Sequence, residues 1–256
     1  MIRWAFVLLS GFSATACSSE NARRYFAQEA LQERDAANLG LTRTEEDKFI
    51  VVRDTRHCGG GGEYRLRKGA AVPLAITAPH AFHDRGTGEL AMQIFARSRA
   101  AVAARNTVAR DGSDGCDALD IAREGEHLFT QFALGFSDRF PDGLVVQLHG
   151  FDGARRSTSQ AEEAAAIVSN GTPLPGLDTL DLADCLSRAL APRSVLVYPT
   201  ETNELGAEDN AQGKALREAG GARFGHIELS ADLRETMTSD EPLLDSFAAC
   251  LEEAAA

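Results

Sequence analysis

The amino-acid sequence predicts an α/β fold in three layers, with a mostly parallel central sheet flanked by helices. Two observations lead there. Short, mainly apolar runs occur at residues 72–78 and 144–148, and a further strand-like stretch at 223–229. Between them lie segments whose apolar residues repeat at helical spacing, such as Leu128, Phe132 and Phe136. Strands separated by helices or long connections pair in parallel through crossovers, which place helices on both faces of the sheet. The chain has 256 residues, 44% apolar and 25% charged, which is a globular composition and ample for one large core.

Taken in order, residues 1–16 read as an export signal. Arg3 supplies a positive start, Trp4 to Leu9 an apolar stretch, and Ala14-Thr15-Ala16 a small-residue cleavage site. Cys17 follows directly, as in a bacterial lipoprotein, so the mature protein is expected outside the cytoplasm, periplasmic and either free or membrane-anchored through a lipid at Cys17. Residues 17–47 are polar with little periodic apolar signal and are expected to be a surface linker with at most one helix. The α/β domain is expected over 48–256. Within it, residues 49–53 should form a strand, 59–62 a glycine loop, and 72–78 a strand ending at Pro79. A helix is expected over 88–104, with Leu90, Ile94 and Phe95 on one face, and another over 124–136. Strands follow at 144–148, 165–169, 194–198 and 223–229, and helices at 180–190, 210–219 and 243–253. Leaving Cys17 aside, four cysteines remain for an oxidising compartment. Cys58 with Cys116 and Cys185 with Cys250 are the favoured pairs, with buried free thiols as the alternative.

The formal net charge of -12 argues against nucleic acid, which needs a basic footprint, but leaves room for an acidic substrate held by a few local arginines. No partner protein is implied. Chemistry gathers where three apolar runs end. Ala78-Pro79-His80 leads into His83-Asp84, Leu148-His149-Gly150 into Asp152, and His226-Ile227-Glu228 into Ser230 and Arg234. In open α/β sheets the carboxyl ends of the strands form the functional crevice. Two imidazoles and a carboxylate, with a fourth position for water, make a hydrolytic zinc site. His80 and His149 are the imidazoles, and Asp84 is the carboxylate because residues 79–88 should form a loop, with His83 as the competing ligand. Glu228 is left to move protons, and Arg234 could clamp a substrate carboxylate through two parallel hydrogen bonds. His226 is at best a supporting contact, and His57 and His127 read as surface residues. The GxSxG elbow, the phosphate loop and the HExxH helix are all missing.

The blocks Ala78-Pro79-His80 with Gly86-Thr87-Gly88-Glu89-Leu90, Leu148-His149-Gly150-Phe151-Asp152-Gly153, Asn210-Ala211-Gln212-Gly213, and Glu228-Leu229-Ser230 with Leu233-Arg234 resemble in order those of the poly-γ-glutamate hydrolase family. That family is similar to zinc carboxypeptidases in fold and cuts γ-glutamyl amide bonds. The resemblance implies that His80 and His149 bind zinc and that Glu228 is the catalytic glutamate. It departs in the first block, where the family has glycines followed by a glutamate ligand and this chain has Ala81-Phe82-His83-Asp84. The same loop is similar to the first block of zinc-dependent N-acetylmuramoyl-alanine amidases and of N-formylglutamate amidohydrolases. The expectation is therefore an exported, zinc-dependent amide hydrolase acting on a peptide or γ-glutamyl substrate with a free carboxylate. The alternatives are a cell-wall amidase or an N-formylglutamate amidohydrolase-like enzyme, and a non-catalytic binding lipoprotein on the same scaffold.

Overall fold

The computed structural model describes residues 14–28, 32–112 and 115–256. The expected leader lies outside the described residues except for the backbone of 14–16, and so does the side chain of Cys17. Among the described residues no helix is long and apolar enough to cross a membrane.

The elements run α1 (Ala14–Ala27), α2 (Glu33–Asn38), β1 (Thr42–Glu45), β2 (Phe49–Arg53), β3 (Glu63–Arg67), β4 (Val72–Ala78), α3 (Thr87–Arg97), β5 (Ala100–Arg105), α4 (Leu128–Arg139) and β6 (Leu144–Phe151). Then come α5 (Ser159–Glu163), β7 (Ala166–Ser169), α6 (Leu177–Ala189), β8 (Val195–Val197), α7 (Ala211–Ala219), β9 (Arg223–Ser230), α8 (Ala231–Ser239) and α9 (Glu241–Ala255). One sheet takes all nine strands in the order β1-β2-β3-β5-β4-β6-β9-β7-β8. Its centre, β5-β4-β6-β9, is parallel throughout, while β1, β2 and β3 join by antiparallel pairing at one edge and β7 runs antiparallel to β9 at the other.

Helices cover both faces, so the central strands are buried on either side, which is why they read as continuous apolar runs. One face packs Leu74, Ile76, Val146 and Ile227 under Leu90 and Ile94 of α3, Leu186 of α6 and Phe247 of α9. The other packs Tyr64, Val102 and Val145 under Phe129, Phe132 and Phe136 of α4 and Leu216 of α7. Both expected disulfides are present, Cys58–Cys116 and Cys185–Cys250, and the second ties α6 to α9.

Two expectations are corrected. The helix expected over 88–104 ends at Arg97, and Ala100–Arg105 is a strand. Alanine favours helix, but here Ala100, Ala103 and Ala104 are fully buried between β3 and β4, where small side chains let helices close on both faces of the sheet. The polar stretch 17–47 is also more than a surface linker. Ala22, Tyr25 and Phe26 are buried, and the Phe26 ring stands 5.2 Å from Phe132 and 4.7 Å from Tyr64. Gly135 permits this contact between α1 and α4, since a Cβ there would lie 2.5 Å from the Arg23 carbonyl. Burying each such aromatic contributes about 2–3 kcal/mol, enough to dock a helix whose other faces are charged.

Candidate metal centre

Strand ends deliver each ligand. β4 finishes at Ala78, and Pro79 turns the chain so that His80 begins a helical turn closed by the Asp84 N–H donating to the His80 carbonyl (2.8 Å). That turn puts Asp84 four residues on and beneath His80. β6 continues to Phe151, carrying His149, and β9 lies beside it with His149 opposite Glu228 and Gln147 opposite His226. Alternate residues of a strand share a face, so these four side chains form one patch.

Within it Asp84 Oδ2 lies 3.5 Å from His80 Nδ1 and 3.3 Å from His149 Nδ1. The other ring nitrogens are engaged. His80 Nε2 meets Asp120 Oδ1 at 2.8 Å and His149 Nε2 meets Gln147 Oε1 at 3.2 Å. Both partners present acceptor oxygens to Nε2, so with the hydrogen there each Nδ1 can give its lone pair to a cation, or carry a proton shared with Asp84 when no cation is bound. Two imidazole lone pairs and a carboxylate oxygen thus converge on one point, which calls for a cation or a proton between them. The three residues are 5–7% exposed, and their ligand atoms lie within 4.8 Å of one another. Carboxylate backing of a ligand histidine, as Asp120 backs His80, is the usual support of a zinc ligand. The donor set therefore fits zinc.

The electrostatics follow from burial and pairing. Burial opposes charge on Asp84, yet hydrogen bonds from His149 and His80 outweigh it and hold the carboxyl well below its ordinary range. Burial also opposes charge on His80, and hydrogen bonds to Asp120 and Asp84 overcome it, raising the imidazole's pKa. His149 is lowered, chiefly by burial. Glu228 is pushed up to about 8 by burial and then by the neighbouring Asp84 charge. His226 is held well below its ordinary value by burial, and its Nε2 lies 3.5 Å from Glu228 Oε1.

A cleft of about 360 Å³ opens over this patch, lined also by Arg110, Arg123, Asp152, Arg155 and Arg156. His80, Asp84, His149 and Glu228 all come together there. His83 lines the same cleft but is exposed, and Asp84 is the side chain that converges with the two histidines.

Arg234 is placed otherwise. Its guanidinium donates to the carbonyls of Arg85 (2.8 Å), Leu229 and Phe151 (3.5 Å), lying so close over Gly150 that a Cβ there would clash with it. These bonds tie the loop after β4 to β6 and β9, and they engage Nε and Nη1 of the guanidinium. His127 is also more than a surface residue, since its Nδ1 accepts from the Phe129 N–H and caps α4. The missed contributors are Asp120 and Gln147. Asp120, on a loop among other acids, leaves no distinguishing mark in sequence; Gln147, two residues before His149 on a strand, was recoverable as its neighbour on the same face.

No protein-family model matches the sequence, and no curated protein is similar to it. Solved structures are similar in fold. A proposed carboxypeptidase A from Shewanella denitrificans OS-217 superposes with a TM-score of 0.51 at 11% identity, over 86% of this chain and 66% of that one. A proposed metallopeptidase from Shewanella baltica OS155 gives 0.44 at 14% identity, over 94% and 91%. An aspartoacylase family protein from Mesorhizobium loti gives 0.43 at 14% identity, over 81% and 70%. The sheet topology and the first of these likenesses give the fold as a large mixed sheet between helices, of the carboxypeptidase-like kind.

Proposed function

We propose that the protein is an exported, zinc-dependent amide hydrolase that cuts a peptide or γ-glutamyl bond in a substrate bearing a free carboxylate. The observation that carries this reading is the convergence of His80 Nδ1, His149 Nδ1 and Asp84 Oδ2 beside Glu228, at the floor of a cleft walled by arginines. Zinc held by those three residues would supply Lewis-acid polarisation of the amide carbonyl and acidify water.

Glu228 performs the proton work. Its carboxyl, raised to about 8 in the metal-free protein, takes the proton of the attacking water and returns it to the departing amine, work for which a pKa near the operating pH is suited. His226, neutral and behind it, has its Nδ1 3.4 Å from Ser169 Oγ, which steadies the ring against the carboxylate. Cleft arginines hold the substrate's carboxylate. Arg110 and Arg123 are tied to Asp120 (3.3 and 3.7 Å) and Arg156 to Glu204 (3.6 Å). Arg155 is exposed and, among the described residues, forms no ion pair, so it is better placed for the clamp than Arg234. The two disulfides support an oxidising compartment, and with it export.

The test offers poly-γ-glutamate, a γ-glutamyl dipeptide, a muropeptide and N-formylglutamate to purified protein, with and without chelator, alongside metal analysis. Chelator-sensitive release of an amine from any of them with about one zinc per chain supports the proposal. Chelator-insensitive turnover, or stoichiometric zinc with no turnover of any substrate, refutes it.

A further inference from the structure

We infer that Gln147, Asn210 and Gln212 form a directional hydrogen-bond chain that fixes His149 as its Nε2–H tautomer, keeping the Nδ1 lone pair aimed at Asp84 and the metal position. The inference rests on the reading of this site as a metal centre and adds to it three positioning residues.

An amide side chain has nearly the same shape either way round, so its direction must come from a group whose polarity cannot change. The chain has one at each end. At the first, the Gly213 N–H can only donate, and Asn210 Oδ1 accepts it at 2.9 Å as the cap of α7. Asn210 therefore turns Nδ2 towards Gln147, whose Oε1 accepts it at 2.7 Å. At the second, the Ile121 carbonyl can only accept, and Gln212 Nε2 donates to it at 3.0 Å and to Thr130 Oγ1 at 2.6 Å. Thr130 is free to accept there because its own hydroxyl donates to the Glu124 carbonyl (2.7 Å). Gln212 Oε1 is left to accept from Gln147 Nε2 at 2.9 Å.

Both ends give Gln147 the same orientation, with Oε1 towards His149 Nε2. An amide oxygen only accepts, so the imidazole hydrogen sits on Nε2. Gln147, Gln212 and Thr130 are fully buried and Asn210 is 6% exposed, which leaves solvent no ready way to stand in for a lost partner. Ile121 adjoins Asp120, the partner of His80, so one polar network sets both ligand rings.

The test separates polarity from shape. Asn210→Asp keeps the size and the cap on the Gly213 N–H, but offers Gln147 only an acceptor. It drives the amide to present Nε2, which asks His149 to carry its hydrogen on the ligand nitrogen. Asn210→Ser keeps a cap and withdraws from Gln147, which Gln212 still holds. Zinc affinity is measured by chelator competition at pH 8 on the disulfide-intact chain, with the melting temperature of each metal-free variant as the folding control. The expectation is a zinc affinity at least tenfold weaker for Asn210→Asp, within the range seen when partners of ligand histidines are changed, and within about threefold of wild type for Asn210→Ser. A role in packing alone predicts the reverse order, because serine leaves a void that aspartate fills. Wild-type affinity in Asn210→Asp, or a larger loss in Asn210→Ser, overturns the inference while leaving the metal reading intact. Wild-type protein that binds no zinc overturns both.

Discussion

Replacing Glu228 by glutamine should make the metal-free protein more stable, by a margin that grows with pH. The carboxyl ionises near 4.5 in an unfolded chain and at about 8 in the folded protein, where burial and the Asp84 charge oppose its anion. A raised folded value means that the stability contributed by the protonated form is fully present below pH 4.5 and is lost as the pH climbs through 8. The whole interval corresponds to about 4–5 kcal/mol, of which about 2.5 kcal/mol is lost between pH 5 and pH 7. Glutamine has the shape of the protonated acid and nothing to ionise. The histidines of the site titrate in the same window, His149 and His226 in the opposite sense to His80, so the informative quantity is the difference between wild type and Glu228→Gln. Urea unfolding of chelator-treated, disulfide-intact protein at pH 5, 6, 7, 8 and 9 measures it. Parallel stability curves for the two proteins across that range would refute the electrostatic account of Glu228.

With zinc present, Glu228→Gln should keep the metal and lower turnover by about 100-fold or more, since the amide cannot carry a proton; steady-state kinetics with parallel metal analysis check this. His149→Ala should abolish stoichiometric zinc, and Asp84→Asn should weaken it at least tenfold, both read by chelator competition. Arg234→Ala should act on stability, lowering it by about 2 kcal/mol through the lost carbonyl bonds, whereas Arg155→Ala should raise KM for substrates with a free carboxylate and leave urea unfolding unchanged. Reduction of the cross-links should lower stability by about 2–4 kcal/mol each, and thiol titration of the denatured, unreduced protein should find neither pair reactive.

The parts of the fold legible in sequence were those buried on both sides. The central strands β4 and β6 announce themselves as mainly apolar runs because helices cover each face, and Leu128, Phe132 and Phe136 of α4 mark its inner side at i, i+4 and i+8. The edge was harder to read. β1 and β3 mix charged residues with few apolar ones, Thr-Arg-Thr-Glu and Glu-Tyr-Arg-Leu-Arg, and Glu63 is buried only because Arg53, Arg65 and Arg105 surround it. No local pattern records such a long-range pairing. The same division runs through the site. His80, His149 and Glu228 stand out as polar residues that interrupt or end apolar strands. Asp120 takes its place through contact with a residue forty positions away, and the partners of Arg234 are backbone carbonyls, which have no signature in sequence.

Asp84 is where the sequence departs from the family that its motifs resemble, and the shorter acid left open a decayed, non-catalytic site. The geometry argues against decay. The chain makes a full helical turn between His80 and Asp84, closed by the Asp84 N–H, and Thr87 Oγ1 donates to the Asp84 carbonyl from the first turn of α3. Arg234 fastens the same loop to the ends of β6 and β9 through the Arg85 carbonyl. These bonds carry the shorter side chain to within 3.3 and 3.5 Å of both imidazoles. The patch gathers a nearly buried carboxylate, three buried histidines and a carboxyl raised to about 8, and burial works against charge on Glu228, His149 and His226. Asp120 and Gln147 meet the outer nitrogens of both rings, and the loop brings the shorter Asp84 to the inner ones, which is the arrangement the proposed metal site requires.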